Sequence, residues 1–162
     1  MINYDSMEIK DLVQALKDVF DGEPWFGTSV MDSLASIPTV LWDRKSSPSR
    51  NTIAALVWHM IDWRYFVIEK LNGNTDFDIT LNTTADWREE VAVKNEEDVV
   101  ALIKELKDTQ RILCELLMQK EEVWLFKKTA GKSYNNVYMV QGLIQHDSYH
   151  LGQINLIHSQ LK

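Results

Sequence analysis

Apolar residues along the chain recur at intervals of three and four, and this periodicity predicts four principal helices, each with one buried face. The predicted helices span roughly residues 7–20, from Ser49 or Asn51 to about Leu71, roughly residues 96–119, and from Asn135 or Asn136 nearly to Lys162. Helices that each carry one apolar face must pack against one another. The sequence therefore predicts an all-α fold, a four-helix bundle with long inter-helix loops.

Residues that favour helix ends mark three of these boundaries. Asp5 followed three positions later by Glu8 has the spacing of a capping box, and Gly22 is placed to end the first helix. Asn95 is predicted to cap the third helix, with Asp98 three residues further on, because its side-chain oxygen can accept a hydrogen bond from the first turn.

The segments between the principal helices contain one short helix and one long connection. Thr28 or Ser29 is predicted to begin the short helix, which ends before the next proline because the residue preceding proline avoids the helical conformation. Residues 73–95 are polar and have no helical period, and residues 76–81 alternate as in a short strand or an extended covering segment. Trp87 indicates that this connection docks onto the bundle.

Composition narrows the class of protein. A chain of 162 residues, of which 45% are hydrophobic, fits a single domain over residues 1–162. A net charge of −7 argues against a nucleic-acid surface, which needs clustered Lys and Arg. No apolar run approaches the roughly 18 residues of a membrane span, and no signal peptide opens the chain. The single cysteine, Cys114, fits a reducing cytoplasm and is predicted to be buried and inert.

The chemistry of the chain centres on a stretch near its C-terminus. His146 and His150 lie four residues apart in the last predicted helix, which places them about 40° apart around the helix axis. Both imidazoles therefore leave the same face, where they can bind one metal ion. Gln153 follows on this face, which is otherwise apolar, and polar groups in such a place need partners.

A third histidine, His59, projects from the core side of the second predicted helix. Three neutral imidazoles from two helices would hold one divalent ion and leave positions open for water or substrate, as in a catalytic metal site. Asp62 and Asp147 are candidates to orient the imidazoles or to act as catalytic groups, although solvated helix surface is the alternative interpretation of both. His158 lies about 80° from the direction of His150 and is predicted to be a surface residue outside the cluster.

Three motifs give the chain a family resemblance that spans most of its length. They are GEPWFGTS at residues 22–29, the stretch from Thr52 to Arg64 that contains VWH and WR, and HDSYHLGQI at residues 146–154. With these motifs the chain resembles the DinB-like superfamily (the DinB/YfiT type) of metalloenzymes. The resemblance implies a four-helix bundle that is often dimeric, with one divalent metal ion per chain, commonly zinc or nickel. It also implies that the ligands are His59, His146 and His150.

The resemblance further implies an activity. Family members with an assigned activity are mostly thiol transferases or thiol-dependent isomerases that use bacillithiol, mycothiol or glutathione. The leading hypothesis is therefore a metal-dependent enzyme that transfers a low-molecular-weight thiol to a small electrophile. Trp25, Trp63 and Tyr149 are predicted pocket walls, and Gln153 is predicted to lie beside the metal ligands.

Two alternatives stay open at this point. One is a metal-dependent hydrolase with bound hydroxide as nucleophile and Asp62 or Asp147 as proton acceptor. The other is a non-catalytic helical binding protein, in which the histidines form hydrogen bonds within the core. The expected partners are a small-molecule substrate and a second copy of the chain, with no nucleic acid and no membrane.

Overall fold

The regular structure of the chain is helical, as predicted. The computed structural model of the protein describes residues 7–47, 51–89 and 91–162. Its α-helices are α1 (Ile9–Phe20), α2 (Val30–Ala35), α3 (Ile53–Leu71), α4 (Glu96–Met118) and α5 (Asn136–Leu161). Short 3-10 helices span Thr39–Leu41 and Glu122–Phe126. Within these described ranges no β-strand forms, and one isolated bridge joins Lys128 to Asn135.

The four long helices form a bundle in which α1 and α3 each pack against both α4 and α5. The short helix α2 lies against α5 and α1. Helix α3 has the most deeply buried sequence, and its buried residues include the polar side chains of His59, Arg64 and Lys70. Because burial of such groups is unfavourable without partners, each of the three indicates a specific interaction.

Side-chain caps account for where four of the helices begin. In each case an oxygen of the capping residue accepts a hydrogen bond from a backbone N–H of the first turn, and the caps are Ser29, Thr52, Asn95 and Asn135. The prediction that Asn51 or Ser49 begins the second long helix is wrong in detail. The hydroxyl of Thr52 accepts from the backbone N–H of Ala55 at 3.1 Å, and Ser49 lies outside the described residues.

The start of α1 differs from the predicted capping box. Glu8 occupies the N-cap position itself and makes no side-chain capping bond, while Asp5 lies outside the described residues. The backbone N–H of Ile9 instead donates to Oε2 of Glu122 at 2.8 Å. A carboxylate from a distant 3-10 helix therefore replaces the local cap, which a pattern within the first helix could not indicate.

The long connection between α3 and α4 docks onto the bundle, as Trp87 predicted. Residues 76–81 form no strand, and Ile79 within them is buried in the core, so this segment covers part of the core. The Lys70 ammonium, which is 2% exposed, donates to the carbonyl oxygens of Asn74 at 3.0 Å and Phe77 at 2.5 Å. The first residues of the connection are thereby tied to the end of α3.

Salt bridges hold the rest of this connection. The Arg88 guanidinium contacts both carboxylate oxygens of Asp62, with Nε–Oδ2 and Nη2–Oδ1 distances of 2.9 and 2.6 Å, and it stacks 3.9 Å from the Trp58 ring centre. Lys132 contributes a second anchor through a 2.5 Å contact with Oδ1 of Asp78. The connection is thus held to α3 and to the loop before α5.

We expect Lys70→Met to lower the free energy of unfolding by about 2 kcal/mol, because hydrogen bonds to charged groups contribute about 1.5–3 kcal/mol. Methionine keeps the buried aliphatic stem and removes only the ammonium. Urea unfolding measures the change. Lys104→Met is the matched control, since Lys104 forms an exposed pair with Asp108, and exposed pairs contribute little to stability. Equal effects of the two substitutions would contradict the anchoring role.

The prediction that His158 is a surface residue is wrong. Its side chain is only 6% exposed, and it lies on α5 next to the buried Ile157. The buried face of α5 is wide near its end, because α2 and α1 both pack against this helix, so an offset of about 80° from His150 still points inward. Burial lowers the pKa of His158.

Candidate metal centre

The three histidines predicted from the sequence meet between α3 and α5. Nε2 of His146 lies 3.0 Å from Nε2 of His59 and 3.0 Å from Nε2 of His150. Ligand atoms of the three residues all lie within 4.8 Å of one another, and over the described ranges no other group of His, Cys, Asp and Glu side chains meets this condition. His158 is not part of the group, as predicted.

Hydrogen bonds at Nδ1 of His59 and of His150 determine whether the Nε2 atoms that face the cluster carry a proton. Nδ1 of His59 lies 2.7 Å from the backbone carbonyl oxygen of Asp86. A carbonyl oxygen only accepts, so Nδ1 donates and the Nε2 of the neutral ring is a free lone pair. Nδ1 of His150 lies 2.6 Å from Oε1 of Gln153, whose Nε2 donates to the hydroxyl of Tyr149 at 3.2 Å. His150 therefore also presents a lone pair.

Hydrogen bonds within the cluster cannot give all three Nε2 atoms a suitable partner. Nε2 of His146 can carry at most one proton, yet it faces two lone pairs at 3.0 Å. Burial lowers the pKa of His59, and burial followed by the neighbouring charge of His146 lowers the pKa of His150 to about 4. Both rings are therefore neutral near pH 7, and at least one nitrogen–nitrogen contact has no proton between its atoms.

A divalent ion fits this donor set. Metal–nitrogen bonds of about 2.0–2.1 Å in a tetrahedral site place the ligand nitrogens about 3.3 Å apart, so the observed distances of 3.0 Å would have to widen by only about 0.3 Å. The hydrogen bonds to Asp86 and Gln153 fix the ring orientations, as the outer partners of histidine ligands usually do. The three residues therefore fit one divalent metal ion.

The long connection closes one side of the cluster. The Trp87 ring stacks on His59 with a centroid distance of 3.9 Å and an interplanar angle of 5°. Both oxygens of the neighbouring Asp86 carboxylate accept hydrogen bonds, from Nε1 of Trp63 at 3.1 Å and from the backbone N–H of Asn82 at 2.8 Å. Asp86 was missed by the sequence reasoning, because its contact with His59 uses a backbone carbonyl that has no sequence signature.

The two carboxylates predicted as catalytic groups have arginine partners. Asp147 is 2% exposed and accepts from Nη1 of Arg64 at 2.9 Å, while Oδ2 of Asp147 lies 2.8 Å from Nη2. Oδ1 of Asp147 is 3.8 Å from Nδ1 of His146, which is beyond hydrogen-bond distance. Asp62 is paired with Arg88. Neither has a hydrogen bond to the cluster in the described chain, and a catalytic role for either stays a prediction.

The remaining predicted site residues divide into two groups. Gln153 and Tyr149 lie beside His150, and the Trp63 ring centre is 5.6 Å from that of His146. Trp25 lies elsewhere, since its side chain is fully exposed in the turn between α1 and α2. The structure therefore does not bring Trp25 to the site as a pocket wall.

A cavity of about 200 Å³ opens beside His146, between α3, α5 and the residues preceding α5. Its walls are almost entirely apolar or aromatic and include Trp63, Phe66, Tyr134, Met139 and Leu143. The metal donor cluster and a ligand-sized apolar space thus share one histidine.

The fold and the donor set define a helical bundle with a three-histidine group that could hold a metal ion. The sequence model of the DinB superfamily matches residues 28–154, a region that includes all three histidines. The chain therefore belongs to the DinB superfamily. Comparison with curated proteins finds no match, and comparison with solved structures finds none either. In the described parts of the chain, no helix has the length and hydrophobicity needed to span a membrane.

Proposed function

We propose that the protein is a metal-dependent enzyme that transfers a low-molecular-weight thiol to a small electrophile. The observation that carries the proposal is the convergence of three imidazole lone-pair positions from His59, His146 and His150. A divalent ion held there would lower the pKa of a bound thiol or water and so supply a nucleophile near neutral pH. Zinc and nickel are the ions expected from the family resemblance.

The cluster lacks an obvious nucleophile of its own, which supports an external one. Cys114 on α4 is not part of the histidine group, and burial raises the pKa of its thiol, so it is a poor nucleophile. In the proposed reaction the thiol gives its proton to solvent, and its sulfur forms a bond to an electrophilic carbon. The bond from that carbon to the leaving group breaks, and the leaving group departs with the electron pair. The protein would orient the reactants for this displacement.

The two carboxylates near the site, Asp147 and Asp62, are already hydrogen-bonded, and this favours a thiol over water as the nucleophile. Hydrolysis requires a base to take a proton from water, whereas Asp147 and Asp62 already accept hydrogen bonds from Arg64 and Arg88. A thiol, with an ordinary pKa of about 8.5, loses its proton far more readily than water does. The hydrolase alternative is therefore less well supported by this geometry.

The arrangement also argues against a purely structural role for the histidines. A core histidine normally has a partner for each buried ring nitrogen. Nδ1 of His146 is buried without a hydrogen-bond partner among the residues that the structure describes, and its Nε2 faces two lone pairs. Hydrogen bonds among the three rings therefore leave ring nitrogens without suitable partners. This supports a metal-binding role for the histidines over the role of core residues in a non-catalytic binding protein.

The surrounding residues have distinct parts in the proposal. Asp86 and Gln153 hold the His59 and His150 rings with Nε2 directed to the cluster, and Trp87 excludes water from the covered side of His59. Tyr149 and Trp63 flank the other side. A homodimer and a cytoplasmic location are further parts of the proposal, expected from the family resemblance and from the single cysteine.

The test is conjugation by the purified, untagged protein loaded with zinc or nickel. Bacillithiol, mycothiol and glutathione are each offered with a panel of small electrophiles, and product formation is followed by mass spectrometry. We expect a thioether product with at least one thiol, and loss of that activity in His146→Ala. Turnover of esters or amides without any thiol would favour the hydrolase instead, and inactivity with every thiol would refute the proposal.

A further inference from the structure

The cavity beside His146 has a chemical character that limits what can enter it. Aromatic and aliphatic groups form its walls, among them Trp63, Phe66, Met139 and Leu143. None of the described residues that line it is Asp, Glu, Lys or Arg. A charged ligand would lose its hydration there without gaining a counter-ion among the lining side chains, which is strongly unfavourable. The lining therefore selects for a neutral, apolar group.

Two lysines near the cavity do not change this conclusion, because both have partners already. The ammonium groups of Lys132 and Lys70 lie 5.3 and 5.4 Å from the ring centre of Phe66. Lys132 is paired with Asp78 at 2.5 Å, and Lys70 is held by backbone carbonyl oxygens, including that of Phe77. Neither is left to bind an anionic ligand in the cavity.

The cavity also lies on the accessible side of the histidine cluster. The His59 side chain is 6% exposed and is covered by Trp87, whereas the His146 side chain is 21% exposed and forms part of the cavity wall. A molecule that approaches the cluster therefore comes past His146, where its apolar part meets the cavity.

A glycine keeps this space open. Gly142 lies in the interior of α5, one turn before His146, and lines the cavity. A glycine there destabilises a helix by about 1 kcal/mol relative to alanine. A Cβ built on Gly142 would have no atom within 4 Å, so packing against neighbours does not require the glycine. Any larger side chain at this position would instead occupy the cavity.

We infer that this cavity is the subsite for the apolar part of the electrophile, and that it takes an uncharged group about the size of one substituted aromatic ring. An apolar cavity of about 150 Å³ is large enough for benzene, and the volume here is about 200 Å³. The inference rests on the proposed function for the substrate role of the bound ring. The substrate class is thereby narrowed to small neutral electrophiles that carry an aromatic or compact apolar group.

The inference is tested by direct binding of a neutral ring, with an anionic ring of similar size as comparison. The probes are 4-fluorobenzyl alcohol and 4-fluorobenzoate, offered to protein freed of metal by a chelator so that the carboxylate has no ion to bind. 19F NMR line broadening gives the dissociation constants without any catalytic assay. We expect the neutral probe to bind at least about tenfold more tightly than the anion. We also expect Gly142→Leu to weaken binding of the neutral probe about tenfold or more, the scale of a steric change in an apolar pocket.

A matched substitution separates filling of the cavity from other effects of the mutation. Gly152 also lies within α5 and has open space around its Cβ position, but it does not line the cavity, so Gly152→Leu should leave probe binding unchanged. Circular dichroism verifies that the variants fold. If Gly142→Leu does not fold, Gly142→Ala is measured in its place, and a smaller loss of affinity is expected for it. Unchanged affinity in the folded Gly142 variants, or equal affinity for both probes, would overturn the inference.

Metal analysis of the same proteins after reconstitution with zinc or nickel distinguishes failure of the subsite from failure of the proposed function. A protein that binds metal but not the neutral probe refutes the subsite and leaves the metal-dependent reaction standing. A protein that binds the probe in a Gly142-dependent way but takes up no zinc or nickel refutes the proposed function, and with it the electrophile role of the cavity.

Discussion

The double substitution His146→Ala/His150→Ala is expected to abolish metal binding by a protein that otherwise holds about one divalent ion per chain. Both residues come from α5, at a spacing that places their Nε2 atoms 3.0 Å apart. Removing them leaves His59 as the single remaining ligand, and one imidazole does not hold an ion against water and buffer. Since burial keeps His59 and His150 neutral near pH 7, protons do not compete for these two sites.

Elemental analysis of untagged protein, after reconstitution with zinc or nickel and removal of free ion, measures this effect. His158→Ala is the matched control, because it removes a buried histidine from the same helix that is not part of the cluster, and it should retain the metal. Gln153→Ala should weaken binding by about 10–100-fold without abolishing it, as expected for a residue that orients a ligand. Metal content that is equal in the wild type and the double variant would contradict the site.

The helices and the ligands could be predicted because local spacing determines them. The four-residue interval between His146 and His150 fixes their shared face whatever lies around them, and His59 falls on the core side of α3. Asn95 and Asn135 cap their helices through bonds within one turn. Predictions of this kind depend on residues close in sequence. The helices, these two caps and the convergence of the three histidines were confirmed, while metal binding by the histidines stays a prediction.

The surroundings of the site depend on residues far apart in sequence, so they could not be predicted. The Asp86 carbonyl that orients His59 lies 27 residues away, in a connection without helical period. Asp147 follows a predicted ligand and was interpreted as a catalytic or surface group. Its partner Arg64 is 83 residues away on another helix, and nothing in either helix indicates that two buried charges meet.

Breaking this buried pair by removing one partner is expected to destabilise the contact between α3 and α5, the two helices that carry the three histidines. Asp147→Ala should lower the free energy of unfolding by about 3–5 kcal/mol, because it leaves an uncompensated charge on a buried arginine. The Arg64 side chain has 0% exposure and Asp147 has 2%. Replacing both residues, as in Arg64→Met/Asp147→Leu, should recover most of that loss, since apolar residues of similar volume often replace a buried ion pair without penalty.

Asp62→Ala is the matched control, because Asp62 also forms a two-point contact with an arginine, but at the surface. The exposures in that pair are 40% for Arg88 and 15% for Asp62, and such pairs contribute under about 1 kcal/mol. Urea unfolding in the presence of a chelator compares the variants without any contribution from bound metal. If Asp147→Ala cost no more than Asp62→Ala, the pair would not hold α3 to α5. A large loss with recovery in the double variant would show that the cost of Asp147→Ala comes from the unpaired charge of Arg64.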